Sequence, residues 1–96
     1  MFEHLPGGDI LQDGLCDLRD GVNSINASLV LIGAPRLTKA GISIPQTEPS
    51  SRLPEHELFR LLTLEHGAEA YRHYRSLLRR LVSLEQALEI SQRNRE

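Results

Sequence analysis

The sequence predicts an all-α protein: an antiparallel helical hairpin with a long connection containing proline and glycine, two copies of which complete a four-helix bundle. Two apolar ladders carry the expectation. Leu11, Leu15, Leu18, Val22, Ile25, Leu29 and Ile32 step by four and three without interruption, and Ala70, Tyr74, Leu77, Leu81, Leu84, Leu88 and Ser91 repeat the step. A 3.5-residue period confines each set to one narrow stripe of a helix, the coiled-coil seam that a facing helix covers. Each ladder covers 22 residues, about 33 Å of helix, and matched lengths suit antiparallel pairing. The third observation is size: 96 residues bury only a modest core, so a homodimer or a helical protein partner is expected to complete the structure.

Residues 1–8 read as a flexible lead broken by Pro6, Gly7 and Gly8. Asp9 is placed as an N-cap with Gln12 in the capping-box position, opening a first helix over 9–33. Gly33 and Pro35 are read as its stop, one offering a left-handed C-terminal position and the other blocking continuation. Gly14, Gly21 and Ser28 recur every seven residues immediately before Leu15, Val22 and Leu29, where small side chains let another backbone approach. The competing reading is a helix weakened or broken around Gly21-Val22-Asn23, since Asn23, Ser24, Asn26 and Ser28 are poor helix formers.

Residues 34–53 form the connection, longer than bundle loops usually are, with Leu37, Ile42 and Ile44 available to pack across the helices. Pro54 then suits the first position of a helix, and Glu55 and Glu57 suit its first turn. The second helix is expected over 54–92. At Gly67 two readings stand. The strong helix formers around it favour one long, bent helix, whereas a break there gives three helices in one small domain.

Composition narrows the function classes. Apolar residues at 40% exceed what a disordered tail carries. A net charge of −2 gives no whole-molecule field for nucleic acid or acidic lipid. The lone Cys16 excludes an internal disulfide or a cysteine-based zinc site within one chain. The longest apolar run, Leu29 to Ile32, is far too short for a membrane span, and the N-terminus lacks the basic patch and hydrophobic core of a signal peptide. Cytoplasmic residence without membrane contact is expected.

Three polar constellations remain. Arg72, Arg75, Arg79 and Arg80 form a basic stripe behind the second ladder, suited to phosphates but diluted by Glu69, Glu85 and Glu89. Glu65, Glu69 and His73 stack at four-residue steps, as carboxylate and imidazole ligands of a divalent metal would, although the spacing matches no established helical metal motif. Asp9, Asp13, Asp17 and Asp20 make an acidic face with no visible cleft to separate their pKa values for acid/base work. No nucleophile, phosphate-loop or dinucleotide motif is present, and no cofactor is implied.

The first expectation is therefore a non-enzymatic protein–protein interaction module, an adaptor, regulatory subunit or chaperone-like protein. Its interface would be Leu11, Leu15, Leu18, Val22, Ile25, Leu29 and Ile32 with Tyr74, Leu77, Leu81, Leu84 and Leu88. The alternatives are a helical nucleic-acid-binding regulator using the arginine stripe and a metal-binding helical protein using Glu65, Glu69 and His73.

Overall fold

A computed structural model describes residues 5–45 and 53–95, with side chains as far as Ser91. Among these residues there are helices and no strands: α1 (Gly8–Arg19), α2 (Ile25–Lys39), α3 (Pro54–His66) and α4 (Ala70–Arg95), with a 3-10 turn at Gly67–Glu69 between the last two. The predicted all-α class and helix-on-helix packing hold. Hairpin packing occurs twice, each time between neighbours in the chain.

The first hairpin arises because the expected helix over 9–33 is two helices. Gly21 adopts φ +73°, its N–H donates to the Leu18 carbonyl and the Val22 N–H donates to the Asp17 carbonyl. These are the paired bonds of a Schellman C-cap, in which glycine takes the left-handed position without a Cβ clash. Ser24 then caps α2, its hydroxyl accepting from the Ala27 N–H at 3.1 Å and donating to Asp17 at 2.6 Å. The break comes from these caps, and the ladder merely continues on the other side of a turn.

Gly14 fixes how closely the two arms meet. A Cβ there would lie 2.4 Å from Val30 Cγ2 and 2.6 Å from the Asn26 carbonyl oxygen, so α1 lies against the backbone of α2. The close-packing reading thus holds at Gly14, while Gly21 is a cap with open space around it.

Gly33 and Pro35 do not stop α2, which runs through both to Lys39. Proline inside a helix costs about 3 kcal/mol. Continuation is driven by what lies beyond it: Leu37 is fully buried, contributing about 1.5–3 kcal/mol, and Arg36 reaches α4. The stop is a second Schellman cap, with Gly41 at φ +93°, its N–H on the Thr38 carbonyl and the Ile42 N–H on the Leu37 carbonyl. Of the expected connection 34–53, its first part is therefore helix. Ile42 and Ile44 pack against the core, and residues 46–52 lie outside the described residues.

At the other end, Asp9 is not the N-cap. Gly7 occupies that position at φ +73°, no side chain caps the helix, and Gly8 is already helical. Of the expected lead 1–8, residues 1–4 lie outside the described residues.

The second hairpin turns at Gly67, where φ is +56°, so the break and not the long bent helix is what forms. Phe59 meets Tyr74 edge-on with ring centroids 5.8 Å apart, and His66 stacks on His73 at 3.8 Å. Pro54 stands at the start of α3 with Glu55 and Glu57 in its first turn, as the sequence reads. No helix among the described residues is long and apolar enough to cross a membrane.

The two hairpins join through α2, which touches α1, α3 and α4. Gly33 faces Leu81 and Glu85, and Arg36 faces Glu85 and Glu89, so α2 and α4 run the same way. The core draws Leu11 from α1, Leu29, Val30 and Leu37 from α2, Leu58 and Leu62 from α3, and Leu84 from α4, all enclosed. Gly14→Ala is expected to destabilise the fold by about 1–3 kcal/mol through overpacking, even though alanine is the better helix former. Urea unfolding measures it, and a variant as stable as the parent would refute the close contact.

Candidate functional site

The residues expected at an intermolecular seam are placed inside this chain's own bundle. Leu11, Leu18, Leu29, Leu81, Leu84 and Leu88 are buried; Leu15, Ile25, Ile32, Tyr74 and Leu77 are partly buried and packed against them. Val22, in the turn after α1, is 49% exposed. With the ladders covered by helices of the same chain, the surface features are different residues.

The first is apolar. Leu64 on α3 is 73% exposed and stands at an open groove lined by Ser24, Ile25, Asn26, Leu61, Leu64 and Glu65. Leu53, the N-cap residue just before α3, is also largely exposed. The groove forms because α2 starts beside the far end of α3, bringing together residues some forty positions apart. No local pattern announces it; Leu64 merely falls outside both ladders.

The second is charged. Arg72, Arg75, Arg79 and Arg80 are all exposed on α4, but they do not act as one stripe. Arg80 donates to Asp9 at 3.1 Å and ties the start of α1 to α4. Arg72 pairs with Glu69 at 3.5 Å, and the Arg75 guanidinium lies 5.9 Å from the Tyr71 ring centroid. Arg79 has no ion-pair partner among the described residues.

Glu65, Glu69 and His73 are not brought together: among the described residues no three His, Cys, Asp or Glu side chains converge to hold a metal ion. The reason is the turn at Gly67, which places Glu65 on α3, Glu69 in the 3-10 turn and His73 on α4. His73 is engaged by His66 instead. The aspartate face is divided as well, since Asp9 pairs with Arg80 and Asp17 accepts from Ser24. Cys16 is a half-buried free thiol whose Sγ accepts from Arg19 at 3.8 Å.

One buried carboxylate was not singled out by sequence. Glu85 on α4 is only 5% exposed, beside Gly33, with Arg36 Nη1 at 3.5 Å. Burial pushes its carboxyl above the usual carboxylate range; Arg36 opposes the rise and Glu89 adds to it.

Compared with protein-family models, with curated proteins and with solved structures, the chain matches none.

The raised carboxyl of Glu85 has a signed consequence. The folded state holds this proton more tightly than the unfolded chain, so its contribution is fully present below the ordinary carboxylate range and is lost as pH rises through the raised value. Glu85→Gln keeps a neutral side chain of the same shape. Its melting temperature should exceed the parent's at neutral pH, and the difference should close on acidification; thermal melts across pH measure this, and a gap constant with pH refutes it.

Proposed function

We propose that this chain is a non-enzymatic helical interaction module, cytoplasmic, which pairs with a second copy through the open end formed by α2 and α3. The observation that carries the reading is Leu64, a large apolar side chain projecting into solvent next to a groove walled by Ile25 and Leu61. A knob and a hole side by side on one surface are self-complementary under a two-fold axis: each copy's Leu64 enters the other's groove. Each insertion buries a leucine, about 1.5–3 kcal/mol per copy. Leu53 lengthens the apolar surface along α3 toward the roughly 800 Å² per partner of a stable interface.

This reading differs from a seam made of the ladders in one respect that matters for function. The module folds on its own core, and the knob used in pairing, Leu64, faces away from that core. An adaptor, a regulatory subunit or a chaperone-like protein works in this way, presenting folded surfaces without performing chemistry. Pairing through apolar side chains is also insensitive to salt.

Light scattering on the purified chain should give twice the 10.8 kDa protomer mass, unchanged by added salt. Leu64→Asp should reduce it to one protomer with helicity preserved, because Leu64 faces outward. A monomer throughout the accessible concentration range, or a dimer indifferent to Leu64→Asp, refutes the reading.

A further inference from the structure

We infer that the outer face of α4 binds the phosphate backbone of nucleic acid. Helix α4 turns Ala70, Leu81, Leu84 and Leu88 into the core, and no helix among the described residues covers the opposite side. That side carries Arg72, Arg75, Ser76, Arg79, Ser83 and Gln86, every one exposed.

The decisive feature is where the carboxylates go. Within residues 70–95 the only acidic side chains are Glu85 and Glu89, which in sequence dilute the arginines. In the fold, Arg36 of α2 draws both aside, contacting Glu85 at 3.5 Å and Glu89 at 2.9 Å, and Glu85 is buried. Among the described residues of α4 itself, the outer face is left with Arg72, Arg75 and Arg79 and no carboxylate. Glu69 meets Arg72 across an exposed pair at 3.5 Å, which a phosphate readily replaces. Arg75 is steadied over Tyr71.

The composition of the face selects the partner. Arginine, serine and glutamine are the side chains that contact phosphate and sugar oxygens. An acidic partner helix would need an apolar residue at two positions of every heptad. Between the arginines the face has none, and Val82 alone lies among the residues that follow, short of Ile90. Contact of this kind is to the backbone and independent of base sequence. This surface is separate from the Leu64 groove, so it stands whether or not the chain pairs.

The test is fluorescence anisotropy with a labelled mixed-sequence duplex of about 20 base pairs in low salt, using the full chain. Three phosphate contacts give a slope of log affinity on log salt of about −2.7, so that raising salt from about 50 to about 200 mM weakens binding about 40-fold. Arg75→Glu with Arg79→Glu should abolish the signal with the circular dichroism spectrum unchanged, whereas Arg19→Glu on α1 should retain it. Absence of binding in low salt, or binding that survives the double substitution, overturns the proposal. So does polyglutamate displacing the duplex as well as unlabelled duplex does at equal charge, which would assign the face to an acidic protein.

Discussion

Everything in this fold depends on the enclosure of α2. Ala27, Ser28, Leu29 and Val30 are buried in succession, and four consecutive residues span a full helical turn. A turn buried all round must be covered all round, by its hairpin partner and by neighbours outside that hairpin. Gly14 lets α1 close one side at backbone distance, α3 closes a second, and α4 closes a third against Gly33. Glycine at 14 and 33 lets α1 and α4 come close to this one helix, since close-packed interiors leave little slack for an extra methyl group.

That enclosure also arranges the charges. Because α2 and α4 run in the same direction, Arg36 near the end of α2 comes level with Glu85 and Glu89 near the end of α4. One guanidinium serves two carboxylates, one of them buried. The buried member is held at a cost: desolvation favours its neutral form, and the attraction of Arg36 offsets only part of that. Little more than a turn earlier on α4, Arg80 takes Asp9 at the start of α1. Packing thus decides which charges are engaged internally and which face solvent, a partition invisible in a net charge of −2.

The heptad ladders made helix-on-helix packing legible, and the core leucines at 11, 18, 29, 81, 84 and 88 follow from them. The start of α3 was equally readable, because Pro54, Glu55 and Glu57 act locally. The chain reversals were harder. Leu18, Val22 and Ile25 keep the four-three spacing across a turn, so periodicity alone cannot tell a continuing helix from one that ends and restarts. The local signal at Gly21 and Ser24 was present and outweighed by that pattern. Pro35 misled in the opposite sense, its intrinsic cost being overridden by the burial of Leu37 some residues later. The Leu64 groove was out of reach, since it joins Ile25 to Leu61 only once both hairpins exist.

The two surface features sit on different helices and answer to different physics. The α2–α3 end offers apolar area with little charge, where attraction persists in salt; the α4 face offers charge with little apolar area, where attraction is screened within about 8 Å at physiological ionic strength. Leu64 and the outer arginines of α4 all face away from the core. A small domain rarely has surface to spare beyond what its core leaves over. Here the saving comes from α2, because one helix covered by three others lets α3 and α4 each keep an outer side free. The fold that consumes both ladders is the same fold that releases two separate surfaces for contact with other molecules.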